Sequence, residues 1–125
     1  MLKSKIQKNI YSQRQLKVGE LVKKSLVEFF YKDSIHDPDL INTSITITQV
    51  TLSPDLKQAT AYVMPLGGNN TEEIVRALNR NSKYIRGQIA ANLSLKYTPY
   101  IIYKEDASFE YASKIDRLLD KVSNN

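Results

Sequence analysis

Val50-Thr51-Leu52-Ser53-Pro54-Asp55-Leu56-Lys57-Gln58-Ala59-Thr60-Ala61-Tyr62-Val63 reads as two strands joined by a tight turn. Proline presets φ at the second position of a turn, and the flanking Ser53 and Asp55 can bond nearby backbone amides. Beyond the turn, Lys57 to Pro65 sets Ala59, Ala61 and Val63 on one side and Tyr62 and Met64 on the other, the period of a strand. Before it, Thr43 to Leu52 is rich in β-branched residues, but Ile45 and Ile47 alternate in one phase and Val50 and Leu52 in the other. That strand therefore holds either a bulge or two half-covered faces.

Working outward, Arg14 to Tyr31 repeats Val18, Val22, Leu26, Phe29 and Phe30 at helical spacing, with Lys17 and Lys24 on the opposite face. Ile35-His36-Asp37-Pro38-Asp39 ends this amphipathic helix, because the residue before a proline avoids helical geometry. After the hairpin, Gly67-Gly68-Asn69-Asn70 is a connection, and Asn70 with Glu73 has the form of a helix start. Ile74, Leu78, Ile85, Ile89 and Leu93 then make one apolar stripe, and Arg76, Arg80 and Lys83 lie together on the far side of the same wheel. Asn81 and Ser82 interrupt the stripe and predict a kink. Thr98 to Tyr103 is a third strand opened by Pro99, and Phe109 to Val122 sets Ile115, Leu118, Leu119 and Val122 on one side of a C-terminal helix.

The expected order is α-β-β-α(kink)α-β plus that last helix, an α+β fold. A hairpin followed by a helical crossover returns the third strand beside the first two, giving a three-stranded mixed sheet with helices on one face. The 125 residues suit one domain, with an ordered core expected at about 12–122.

Composition narrows the chemistry. With no cysteine there is neither a disulfide framework nor a thiolate metal site, and no apolar run approaches the roughly 20 residues of a membrane helix. The lysine-rich Met1 to Ile10 does not lead into a secretory apolar run, so a cytoplasmic protein is expected. His36 stands alone in a proline-containing turn and reads as a solvated loop residue rather than a general base. Asp37 and Asp39 could hold a hard cation, though paired carboxylates are ordinary turn residues, and no metal site is expected. Ser53 near Asp55 lacks a base, and Gly67-Gly68 lacks the spacing of a phosphate loop. No catalytic set converges.

The charge pattern is more informative. The net charge is +5, but residues 1–36 carry +5 and residues 71–104 carry +4, whereas 37–70 and 105–125 each carry −2. A row of cations on a helix can neutralise several phosphates together. Arg76, Arg80, Lys83 and the flanking Arg86 are the first candidates for RNA contact, and Lys17, Lys24, Arg14 and Lys96 form a second tier. Eight tyrosines could offer stacking platforms, although those in strand patterns, such as Tyr62 and Tyr103, serve equally as packing.

The hairpin quoted above resembles the signature of the bacterial ribosome-binding factor A family. Ala77-Leu78-Asn79, Ile85-Arg86, Leu95-Lys96-Tyr97-Thr98-Pro99, Asp106-Ala107-Ser108-Phe109-Glu110 and Ile115-Asp116-Arg117-Leu118-Leu119 resemble later blocks of the family in the same order. The resemblance implies a KH domain of the second type that acts as an assembly factor. It implies binding to 16S rRNA in the free small (30S) subunit, support for late processing of that RNA, greatest need in the cold, and neither cofactor nor catalysis. A monomer is expected. Where the family has an Ala-x-Gly kink this chain has Asn81-Ser82-Lys83, so a milder or shifted kink is expected. A protein–protein adaptor, whose binding would survive ribonuclease, and a small RNA-acting enzyme are the rival readings.

Overall fold

The computed structural model describes residues 10–33, 35–65 and 70–107; the expected C-terminal helix and Gly67-Gly68-Asn69 lie outside them. Among these residues the order is α1 (Gln13–Lys32), β1 (Ile45–Leu52), β2 (Gln58–Pro65), α2 (Thr71–Arg80), α3 (Ser82–Ala90) and β3 (Tyr100–Glu105). β1 and β2 form an antiparallel hairpin, and β3 lies parallel to β2 in the order β1-β2-β3. Parallel neighbours need a crossover, which α2 and α3 supply.

The phase change in β1 is a bulge. Ile47 pairs with Val63 and Gln49 with Tyr62, leaving Thr48 as the extra residue, its hydroxyl donating to the Tyr62 carbonyl at 3.3 Å. Ile47 before the bulge and Leu52 after it thereby reach the same core. In the turn the Ser53 hydroxyl donates to the Asp55 carboxylate (2.6 Å) and accepts the Gln58 amide (3.0 Å), so both polar groups are spent on the hairpin. That hydroxyl first, and the Lys57 amide second, hold the Asp55 carboxyl below its usual range. Leu56 adopts φ 62°, an unfavourable angle for a branched side chain, offset by its packing against the core.

The helices cover one face of the sheet. Ala59, Ala61, Val63, Ile101 and Tyr103 are buried beneath Val22 and Leu26 of α1, Ile74, Ala77 and Leu78 of α2, and Ile85 and Ile89 of α3. Tyr100, Ile102 and Lys104 alternate with them on the open face. The single apolar stripe expected from Ile74 to Leu93 is split between two helices, and Leu93 lies past the end of α3. Asn70 occupies the N-cap of α2 without a side-chain cap bond, and Glu72 and Glu73 in the first turn favour that helix start through the helix dipole. α1 has the capping box instead: the Ser12 hydroxyl accepts the Gln15 amide (3.1 Å) and Gln15 Oε1 accepts the Ser12 amide (2.8 Å). Gln15 Nε2 also donates to the Leu52 carbonyl at 2.7 Å, tying the start of α1 to the end of β1. No helix among the described residues is long and apolar enough to cross a membrane.

Tyr103 packs edge-on against Phe30, and its buried hydroxyl has no hydrogen-bond partner among the described residues. Burial pushes its ionisation far above the usual tyrosine range. Replacing a buried unpaired group by an apolar one of the same shape is neutral to stabilising. Tyr103→Phe should therefore leave urea-unfolding stability unchanged or raise it by up to about 1 kcal/mol; a loss of that size would reveal a partner for the hydroxyl.

Candidate nucleic-acid interface

The basic helix face depends on how the chain breaks between α2 and α3. The break falls at Asn81, with φ −99° and ψ 7°, and Lys83, which stands where the family has its glycine, lies inside α3 without a positive φ, so this break does not call for glycine. Polar side chains hold it. The Asn81 amide group donates to the Ala77 carbonyl (2.8 Å) and to the Asp37 carboxylate (2.7 Å). The Ser82 hydroxyl donates to the Ile101 carbonyl. Asn79 donates to the Tyr103 carbonyl (2.9 Å) and accepts the Tyr103 amide (2.8 Å). In parallel pairing, alternate residues of β3 turn their backbone groups away from β2, and Asn79 and Ser82 satisfy those groups on this edge strand.

Asp37 lies in the connection from α1 to β1 and is buried. Arg80 donates to it through Nε (3.1 Å) and Nη2 (2.8 Å), and reaches Asp39 at 3.1 Å. Oδ1 of Asp37 also accepts the Asp39 amide at 3.1 Å. These bonds, Arg80's first and Asn81's second, hold the Asp37 carboxyl below the usual aspartate range and raise Arg80 above its own. The two turn aspartates thus bind an arginine in the place considered for a cation. Among the described residues no three His, Asp or Glu side chains gather to hold a metal ion, and His36 is exposed.

A lowered carboxylate pKa stabilises the fold above the unfolded pKa, and that contribution is lost as pH falls through the folded one. For Asp37 this means constant stability through neutral pH and a loss beginning below about pH 4. Asp37→Asn should lower the melting temperature by several degrees at pH 7, and the gap to the parent protein should close below pH 4. A constant gap across thermal melts from pH 7 to 3 would show that the Asp37 charge contributes nothing.

The break also re-sorts the expected RNA contacts. Arg76 and Arg80 belong to α2, whereas Lys83 and Arg86 belong to α3, so the single wheel on which Arg76, Arg80 and Lys83 shared a side is cut at Asn81. Arg76 is exposed, with only a 4.0 Å contact to the equally exposed Glu72. Lys83 is exposed with no ion pair among the described residues. Arg80 spends Nε and Nη2 on two aspartates, with about half of its side chain exposed. Arg86 donates to the Thr98 carbonyl through Nε (3.0 Å) and Nη2 (2.6 Å) and to the Pro99 carbonyl through Nε (3.2 Å), and its guanidinium lies over the Tyr100 ring, 4.4 Å from the centroid. Arg14, Lys17 and Lys24 are exposed on α1, and Lys96 stands between α3 and β3 with its ammonium 5.9 Å from the Tyr97 ring. The partnerships of Arg80 with Asp37 and of Arg86 with Tyr100 had no local signal in the sequence, since they join residues 43 positions apart in the first case and a helix to a strand in the second.

Comparison with known proteins gives a consistent family. The family model described as ribosome-binding factor A matches residues 14–119. A ribosome-binding factor A from Methylocella silvestris is 49% identical over 108 residues, which are 86% of this chain and 70% of that relative. The solution structure of a Thermotoga maritima protein ascribed to the same family is 33% identical and superposes with a TM-score of 0.62 over 77% of this chain and 90% of its own. A homology model of the Thermus thermophilus ribosome-binding factor A, fitted into a cryo-EM map of a 30S complex, is 22% identical and shares the fold with a TM-score of 0.55 over 70% of this chain and 89% of its own. With its α-β-β-α-α-β order, its mixed sheet covered on one face and these relatives, the chain belongs to the ribosome-binding factor A family and has that family's KH-like fold.

Proposed function

We propose that this protein is a ribosome assembly factor that binds the free 30S subunit through 16S rRNA and assists late maturation and processing of that RNA, most of all in the cold. It acts in the cytoplasm as a monomeric KH-like unit spanning residues 1–125, without a cofactor and without catalysing a reaction. The observation that carries this reading is the set of exposed cations left without strong protein partners, Arg76 and Lys83 on the α2–α3 side and Arg14, Lys17 and Lys24 on α1. Cations so placed suit phosphate oxygens. Family membership supports ribosome association, and the 30S complex of the Thermus thermophilus member supports the small subunit as partner. Arg80 and Arg86 stay in the interface as half-available donors, with Lys96 in the second tier.

Cosedimentation of the purified protein with separated subunits tests this directly. The protein should pellet with the small subunit and not the large one, and digestion of exposed rRNA should release it. Retention after ribonuclease would instead favour the adaptor reading. A deletion strain should grow slowly at low temperature and accumulate free small subunits with precursor 16S rRNA; a normal subunit profile in the cold would remove the maturation role.

A further inference from the structure

From Asn81 to Lys104 the chain carries Lys83, Arg86, Lys96 and Lys104 and not one Asp or Glu. The same stretch exposes Tyr97 (77%) and Tyr100 (67%). Cations interleaved with accessible rings, and no acidic group among them, suit a polyanion whose bases are unstacked better than a helical duplex.

Tyr100 has a further property. The Arg86 guanidinium that lies over its ring is fixed by hydrogen bonds to the Thr98 and Pro99 carbonyls, so one side of the ring is braced by a rigid plane. A ring held in this way loses little freedom when a second flat group stacks on it. Arg86 Nη1 makes no hydrogen bond among the described residues and remains a donor for a phosphate or a base edge. Lys83 stands three residues before Arg86 on α3, on the same side of the helix and free of ion pairs.

We propose that Tyr100 braced by Arg86 is a stacking platform for one unpaired nucleobase of single-stranded RNA, with Lys83 holding the adjoining phosphate. The platform rests on the RNA-binding reading above and names the class of RNA that this side of the molecule takes. Every base has a π-face, so the site tolerates any sequence but demands an unpaired nucleotide.

The test is binding of the full chain to a short oligouridylate and to free small subunits across a salt series. Tyr100→Ala should weaken oligouridylate binding about tenfold with the slope of log affinity against log salt unchanged, since a stacking ring releases no counterion. Tyr100→Phe should keep the affinity. Because the chain has no tryptophan, its emission comes from tyrosine; RNA should quench that emission, and Tyr100→Phe should bind normally while losing part of the quenching. Thermal melts of both variants should match the parent, as Tyr100 is exposed. Unchanged affinity in Tyr100→Ala would overturn the platform while leaving RNA binding intact. Failure of the parent to bind oligouridylate and subunits alike would overturn both readings. Weakened subunit binding by Tyr100→Ala with no oligouridylate binding by the parent would put a ribosomal protein or a structured RNA against the ring and also end the proposal.

Discussion

Gly19→Val should destabilise the fold by about 3 kcal/mol, lowering the melting temperature by roughly 10 °C. Gly19 is buried in the middle of α1, where glycine costs about 1 kcal/mol relative to alanine, so its presence needs a reason. A Cβ built there would stand 2.8 Å from the Val50 carbonyl oxygen and 3.6 Å from a Leu52 methyl. Backbone cannot yield as the end of a side chain can, so α1 would have to lift from β1 and break the Gln15 bond to the Leu52 carbonyl. Against a total stability of about 5–15 kcal/mol such a loss is large. Gly87, exposed on α3 with nothing within 4 Å of an added Cβ, is the control; Gly87→Ala should stabilise by about 0.5–1 kcal/mol. If Gly19→Ala gained stability in urea titrations as Gly87→Ala does, the close approach would not be limiting.

Reversing two cations, Arg76→Glu with Lys83→Glu, should weaken small-subunit binding by roughly 10- to 100-fold, and each single change to Ala should lower the salt slope by roughly 0.7–0.9. Both side chains are exposed and neither holds the fold together, so stability should move by about half a kcal/mol or less. Arg80 is different. Arg80→Ala abandons the buried Asp37, so its binding loss would be mixed with a loss of stability that a melt would expose. Lys121, in the net-acidic block 105–125, is the charge control. Salt titrations giving Lys83→Ala and Lys121→Ala the same slope would mean that the α3 cation is merely solvated, and the phosphate contact would have to be withdrawn.

The same contrast separates what local pattern reveals from what it hides. The hairpin was legible because Ser-Pro-Asp chemistry and period-2 alternation act over a few residues, and α1 because its stripe of Val18, Val22, Leu26 and Phe29 has one period throughout. The break at Asn81 was legible as an interruption of the stripe. The reason for it was not, since it lies in the backbone of β3, which Ser82 and Asn79 satisfy from another element.

The candidate site was legible only as a count of charges on an ideal wheel. A wheel assigns Arg76, Arg80, Lys83 and Arg86 one role, because it knows each residue's angle and nothing of what faces it. The folded chain gives them different ones: Arg80 neutralises a buried aspartate, Arg86 braces a ring, Arg76 keeps only a long, exposed contact to Glu72, and Lys83 has no ion pair among the described residues. Alone, the sequence determined the α+β order, the two faces of β2, the apolar core and the charge blocks, all of which are read from residue spacing within a turn or a strand repeat. Tertiary structure decided which cations remain available and why residue 19 is glycine, because both depend on groups far apart in the chain that meet only when α1 and α2 pack onto the sheet.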